Sequence, residues 1–274
     1  MIRDAGFAGD RNDAPFAAAG RFASGGSPDG ESVDVYGLDL DAHDEAIEAF
    51  EKVLSPRERI EIARFNRREQ RRRVTISRGA LRRILAAYLG KPPAEVPLAR
   101  EARGRPCVDL AASGGRRRLH VSCSRSGPYA IFAVATGQPV GVDIEVASAE
   151  NFPDQVAEIM LSPPERSLYA ALPRNARTAW LARAWVAKEA ILKGLGCGLE
   201  IHPGSIDVAA PFAGDAAADV SAWTPRAAPF RPWWLCESRW AGSVVAVATR
   251  EKPASLRFAQ LTSAGSATLL PARR

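Results

Sequence analysis

Cysteine is scarce in this chain. The four residues Cys107, Cys123, Cys197 and Cys236 are too few and too scattered for a disulfide framework, and they lack the paired spacing of a structural zinc site. They read as reduced thiols, which fits the cytoplasm. Histidine is scarcer still, and His43, His120 and His202 show no ligand spacing. No apolar run approaches the length needed to cross a bilayer, and the opening Met1-Ile2-Arg3-Asp4-Ala5-Gly6 lacks the apolar region of a secretory signal. The expectation is a cytoplasmic protein with no membrane partner.

Positive charge is plentiful and unevenly spread. Lys and Arg number 37 against 31 Asp and Glu, a net charge of +6. Arg64, Arg67, Arg68, Arg71, Arg72, Arg73, Arg78, Arg82 and Arg83 fall within twenty residues. Such a cluster suits a polyanionic partner: nucleic acid, a nucleotide-like cofactor or an acidic protein surface. Most charge runs are solvated helix faces, so only some of the nine are expected to reach a ligand.

At 274 residues the chain can bury a full core, as one large domain or as two halves of roughly 100–120 residues. Residues 1–32 are rich in Gly, Ala, Ser and Asp without periodicity and are expected to form a flexible leader. Val33 to Leu40 alternates as a strand does. Leu54-Ser55-Pro56-Arg57-Glu58 then supplies an N-cap Ser, a Pro at the first helical position and a capping-box Glu. A long arginine-studded helical region follows, and Gly90-Lys91-Pro92-Pro93 ends it. His120 to Cys123, Tyr129 to Thr136, Val140 to Val146, Ser205 to Val208 and Ser243 to Thr249 read as strands, with Trp223, Trp233 and Trp234 in a Pro/Ala-rich loop before the last. Leu161-Ser162-Pro163-Pro164-Glu165-Arg166 echoes the earlier Ser-Pro phrase 107 residues on, again before two helical stretches. The matching position and sequel point to an internal duplication. The expected organisation is a first lobe over 33–139, a second lobe over 140–252 and a loose tail over 253–274.

The chemistry centres on two acidic segments. In Gly141-Val142-Asp143-Ile144-Glu145 the carboxylates lie two apart, so in a strand they share one face about 6–7 Å apart while Val142 and Ile144 face the core. About forty residues on, Trp185-Val186-Ala187-Lys188-Glu189-Ala190-Ile191-Leu192-Lys193-Gly194 reads as a helix with Glu189 and Lys193 one turn apart. Hard cations such as Mg²⁺ take oxygen ligands from a few carboxylates and from substrate phosphates. Asp143, Glu145 and Glu189 are therefore the candidate metal ligands, and the set suggests phosphoryl chemistry.

The strand G-V-D-I-E, the helix W-x-x-K-E-A-x-x-K, the Arg-Gly-Arg-Pro turn at Arg103 to Pro106 and the Ser-x-Ser-Gly turn at Ser124 to Gly127 occur in an order that resembles the Sfp-type 4'-phosphopantetheinyl transferases, from about Val33 to Thr249. The resemblance implies an α/β (α+β) fold: a monomer with a pseudo-twofold pair of lobes, each an antiparallel sheet with packed helices. It implies transfer of the phosphopantetheine arm of coenzyme A to a serine of an acyl or peptidyl carrier protein, dependent on Mg²⁺ or Mn²⁺, with release of adenosine 3',5'-bisphosphate. By the same resemblance Glu189 is the general base and Lys193 stabilises the leaving phosphate. Arg103, Arg105 and Pro106 fall at the turn that cradles the adenine side of coenzyme A. Arg73, with Arg64, falls near the 3'-phosphate, and Ser124, Arg125 and Asp143 near the phosphates. Arg125 stands where the family has histidine; it can bind phosphate with forked donors but cannot titrate near neutral pH. Glu58 and Glu61 fall where the family often has lysines.

Two other readings stay open on the residues. A Mg²⁺-dependent hydrolase of nucleotide pyrophosphates would need the same carboxylates and arginines but no carrier serine. A nucleic-acid-binding protein would use the Arg64 to Arg83 stretch, but that stretch has few aromatics for stacking and leaves the acidic motifs unexplained.

Overall fold

The computed structural model describes residues 32–42, 47–100, 104–108, 119–148, 150–196, 200–209 and 233–261. Arg103, His43, Cys197, Trp223 and the leader up to residue 31 lie outside the described residues.

The first half begins with strand β1 (Ser32–Asp39), followed by helices α1 (Ile47–Glu51), α2 (Pro56–Ala63) and α3 (Arg68–Leu89). Short strands β2 (Leu98–Arg100) and β3 (Pro106–Val108) pair with each other, and β4 (Leu119–Ser126) and β5 (Tyr129–Thr136) form a hairpin. The second half runs β6 (Val140–Glu145), α4 (Asp154–Met160), α5 (Pro163–Ala171), α6 (Arg174–Leu195), β7 (Trp234–Trp240), β8 (Ser243–Thr249) and β9 (Ser255–Gln260). None of the described helices is long and apolar enough to cross a membrane.

The two halves repeat one plan. Ser55 and Ser162 each close a full capping box, with Glu58 and Glu165 reaching back to the cap backbone. Arg82 of α3 then pairs with Glu58 at 2.7 Å, and Lys188 of α6 with Glu165 at 2.6 Å. Both long helices have 22 residues, and each stops at a glycine with positive φ, 62° at Gly90 and 73° at Gly196, a conformation that other residues adopt only with strain. Strand order repeats as well: β4-β5-β1 in one sheet matches β7-β8-β6 in the other. On this register Tyr36 and Leu38 occupy the places of Asp143 and Glu145, so only the second half carries the acids.

Each sheet has one face on its own helix and one on the other sheet. Tyr36, Leu38, Phe132 and Val134 pack with Ile76, Leu81, Ile84 and Leu85 of α3, while Val244, Ala246 and Leu235 pack with Leu181, Ala184, Ile191 and Leu192 of α6. Between the sheets lie Val33, Val35, Ile131, Ala133, Val142, Ile144, Val245, Val247 and Trp240. Alternation along β6 therefore buries Val142 and Ile144 between the lobes and turns Asp143 and Glu145 toward α6, as the sequence pattern requires.

Gly141 lets α6 come close enough to serve those acids. A Cβ there would lie 1.8 Å from Ala190 O and 2.5 Å from Gly194 N, both backbone atoms that cannot swing aside. At the matching place in the first half Tyr88 Oη bonds to Asp34 instead, and the two side chains fill the space between helix and strand. Gly141→Ala should therefore cost about 3 kcal/mol or more, the upper end for overpacking. Urea unfolding checks this: the midpoint should fall with the slope unchanged.

Three expectations need correction. Residues 255–260 are strand β9 rather than tail, and β9 runs parallel to β1, so the first sheet is mixed instead of antiparallel. Arg257 makes this stretch look like solvent-facing chain, yet its guanidinium is neutralised by Asp34, 223 residues away, at 2.5 and 2.8 Å. Ser205 to Val208 is no strand. A 3₁₀ turn at Pro203–Ser205 leads into extended chain whose Val208 N–H donates to Glu165 Oε1 at 2.6 Å rather than to a sheet. Trp234, expected in the loop, opens β7, and Trp233 just before it is buried against Gly194 of α6.

Candidate functional site

At the lobe junction the edge strand β4 of one sheet lies along the edge strand β6 of the other. Ser122, Ser124 and Ser126 alternate along β4, so all three hydroxyls face β6. Ser122 Oγ accepts the Val142 N–H at 3.0 Å and Ser126 Oγ accepts the Val146 N–H at 3.3 Å, satisfying edge groups that no strand pairs. Ser124 donates to Asp143 Oδ1 and Ser126 to Glu145 Oε2, each at 2.6 Å. From α6, Lys193 Nζ donates to Ser124 Oγ at 2.7 Å and to Asp143 Oδ1 at 2.5 Å. The first half thus orients the acids of the second.

Asp143, Glu145 and Glu189 form one electrostatic group. Burial pushes the Glu189 carboxyl above the usual carboxylate range, and Asp143 and Glu145 push it further against the opposing pull of Lys193. Glu145 is raised likewise by burial and by Asp143, with the Ser126 hydrogen bond and Lys193 opposing. Two buried oxygens in the group, Asp143 Oδ2 and Glu189 Oε1, have no hydrogen-bond partner. Buried carboxylate oxygens without donors are costly unless a cation supplies the missing charge. One ammonium among three carboxylates leaves that charge short, and an all-oxygen donor set suits a hard divalent ion. Among the described residues no three such groups converge on a single point, and Lys193 occupies Oδ1 of Asp143.

On its opposite face β4 presents Cys123 and Arg125 to a cleft of about 170 Å³ that is also lined by Arg57, Arg78, Arg100 and Pro106. Arg125 is exposed. Its ionisation is pushed down by desolvation and by Arg78 and Arg100 nearby, against the pull of Cys123, which marks a concentration of positive charge. Glu61 offsets part of it, bonding Arg57 at 3.1 Å and Arg78 at 2.9 Å. Ser124 and Arg125 are neighbours on β4, so the cationic cleft and the carboxylate group lie on either side of one strand.

The expected site residues divide accordingly. Asp143, Glu145, Glu189, Lys193 and Ser124 come together, and Pro106 and Arg125 line the cleft. Arg105 does something else with its side chain: it donates to Val121 O, Gly194 O and Val140 O at 3.3–3.4 Å and so ties the β3 turn to β4, α6 and β6. Arg73 is not brought to the cleft. Its guanidinium is held by Asp41 at 2.9 and 2.5 Å and by Glu69 at 2.6 Å. Arg64 is an exposed C-cap of α2 outside the cleft lining.

Of the basic residues that reach the cleft, Arg57, Arg78 and Arg100 were not among the expected site residues. Helical phase would have found Arg78, because Val74, Ser77, Arg78 and Leu81 fall at i, i+3, i+4 and i+7 and all four line the cleft.

Two family models match the chain. Residues 139–248 match a model described as ACPS, 4'-phosphopantetheinyl transferase superfamily, and residues 41–137 match one described as 4'-phosphopantetheinyl transferase, N-terminal. The models meet just before β6. Among known proteins the chain is similar to the 4'-phosphopantetheinyl transferase HetI of Nostoc sp., 32% identical over 170 residues that cover 62% of this chain and 70% of HetI. It is 27% identical over 153 residues to the 4'-phosphopantetheinyl transferase psf-1 of Bacillus pumilus, covering 56% of this chain and 62% of that one. A shorter match, 40% identical over 63 residues, covers 23% of this chain and 36% of the holo-[acyl-carrier-protein] synthase of Thermotoga maritima.

Proposed function

The chain belongs to the 4'-phosphopantetheinyl transferase superfamily and moves 4'-phosphopantetheine from coenzyme A to carrier proteins, and on that premise we propose that Asp143, Glu145 and Glu189 hold the divalent cation, Mg²⁺ or Mn²⁺, that the transfer uses. The observation that carries this reading is the pair of donorless buried oxygens, Asp143 Oδ2 and Glu189 Oε1, in a carboxylate group with one ammonium to offset it.

In this reading the hydroxyl of the carrier serine attacks the pyrophosphate phosphorus that bears the pantetheine arm. The bond from that phosphorus to the bridging oxygen breaks, and adenosine 3',5'-bisphosphate leaves. Glu189 takes the serine proton as general base. Lys193 faces the phosphate charge that builds on the leaving side. A cation bound by the three carboxylates would neutralise the pyrophosphate and polarise its phosphorus. Arg125, Arg78 and Arg100 offer the fixed charge for the remaining phosphate of coenzyme A, in the place expected of Arg64 and Arg73. Pro106 lies at the cleft wall, where its turn meets the adenosine.

The arginine-rich stretch has other occupations that make nucleic acid a poor partner. Arg72 and Arg73 lie on Asp41, and Arg82 on Glu58. Cys123 and Cys236 are unbridged thiols, as a cytoplasmic site of action would have them.

Intact-mass measurement of an apo carrier protein incubated with the protein, coenzyme A and Mg²⁺ tests the reaction. The carrier should gain one phosphopantetheine, and a chelator should prevent it. Adenosine bisphosphate released with no gain on any carrier would convert the reading to pyrophosphate hydrolysis.

A pH signature follows from the raised carboxyls. Because Glu145 and Glu189 hold their protons to higher pH when folded than when unfolded, the unfolded chain binds fewer protons as pH rises through the window between those values. Stability of the metal-free protein falls across that window, which opens at the ordinary glutamate pKa and extends upward. A divalent ion replaces the lost protons, so the rise in Tm on adding Mg²⁺ should be larger at about pH 8 than at about pH 5. Thermal unfolding with Mg²⁺ and with chelator at both pH values reads this directly; an equal shift at both would contradict it.

A further inference from the structure

One contact already occupies an oxygen of the carboxylate group. Lys193 Nζ lies 2.5 Å from Asp143 Oδ1 and 2.7 Å from Ser124 Oγ, and Ser124 in turn donates to the same Oδ1 at 2.6 Å. This triangle is closed on the side of Oδ1, while Oδ2 of the same carboxylate and Oε1 of Glu189 are left without donors. The two partners differ in freedom. The Asp143 side chain is 3% exposed and fixed on β6, whereas Lys193 is 29% exposed and sits on a flexible four-carbon stem in the last turn of α6. If the pair separates, the lysine is the partner that moves.

From this geometry we infer that Lys193 is a placeholder cation: in the metal-free protein its ammonium neutralises Asp143, and an arriving divalent ion displaces it. Two consequences follow. A monovalent ion offers Asp143 no more charge than the ammonium already there, so Lys193 makes the site selective for divalent ions. Displacement also frees the ammonium one turn from Glu189, so loading of the ion and release of Lys193 to meet substrate phosphate become a single event. Lys193 is then both a positioning residue for the ion and a phosphate-facing residue in the loaded protein. The inference rests on the reading that Asp143, Glu145 and Glu189 hold the ion.

The test uses the full chain and Mn²⁺ alone, without coenzyme A or carrier. Calorimetric titration of wild type and Lys193→Met should show tighter Mn²⁺ binding in the variant, on the order of tenfold, because the competitor is gone. Lys193→Gln, which keeps a polar end at this partly exposed position, should tighten binding in the same direction and serves if the methionine variant folds poorly. The second readout is the acetylation rate of the Lys193 amine in wild type, followed by peptide mass spectrometry. It should rise several-fold when Mn²⁺ is added, since the amine leaves Asp143 and becomes open to the reagent. Failure of either readout while wild type binds Mn²⁺ overturns the placeholder role and leaves the metal reading standing. Absence of Mn²⁺ binding in wild type and variants alike overturns the metal reading and this inference with it.

Discussion

Glu189→Gln is expected to lower the rate of phosphopantetheine transfer by about two to four orders of magnitude, the usual contribution of a positioned general base, while leaving the protein folded. The fold should tolerate it because the carboxyl is a liability to the metal-free protein. It is partly buried, Oε1 has no donor, and Asp143 and Glu145 repel its charge. Removing that charge should raise the Tm of the metal-free variant above that of wild type near neutral pH, by about 2–4 °C for each kcal/mol relieved. Glu145→Gln separates the two duties given to Glu189. Glu145 is held by Ser126 and is assigned only to the ion, so its loss should be restored largely by raising Mg²⁺, whereas the defect of Glu189→Gln should persist at saturating Mg²⁺. Full recovery of Glu189→Gln at high Mg²⁺ would show that the residue binds the ion and moves no proton.

The largest expected effect on stability lies one residue away. Lys188 and Glu165 are both fully buried, and burial pushes the Lys188 ammonium down against the opposing pull of Glu165. Lys188 also donates to Met160 O at 2.6 Å and Pro203 O at 3.0 Å. Glu165 accepts in addition from the N–H groups of Ser162 and Val208. The pair is thus the knot that joins α5, α6 and the 3₁₀ turn after α6. Lys188→Met would leave Glu165 charged and uncompensated in the core, and should cost about 3–5 kcal/mol, the range for breaking a buried pair from one side. Chemical denaturation measures it. The double variant Lys188→Met/Glu165→Gln should recover part of the loss but not all, because the carbonyls of Met160 and Pro203 stay without their donor. A single variant as stable as wild type would mean that water reaches the site. Lys188 therefore serves the fold, although it adjoins Glu189, the proposed general base, in the sequence.

Local chemistry made much of this legible in the sequence. Both Ser-Pro-x-Glu helix starts, the glycine stop of α3 and the alternation that aims Asp143 and Glu145 away from Val142 and Ile144 depend on residues a few positions apart. What the chain conceals are features set by distant partners. Arg257 looks like a surface charge until β9 brings it to Asp34. Ser122 and Ser126 are ordinary strand residues until β4 lies along β6, where they carry hydrogen bonds between the lobes. Arg73 was the expected phosphate residue and Arg78 is the one at the cleft, a difference of helical phase that charge counting along the chain does not register. Ser205 to Val208 has strand alternation, but its backbone turns to Glu165 and not to a sheet.

The claim on which the mechanism depends is that three carboxylates, two from β6 and one from α6, hold one divalent ion. Calorimetric titration of Mg²⁺ into the metal-free wild type and into Asp143→Asn tests it most directly. The expected result is one ion bound per wild-type chain, with binding lost in the variant. Equal Mg²⁺ binding by both proteins, or none by the wild type, would contradict it.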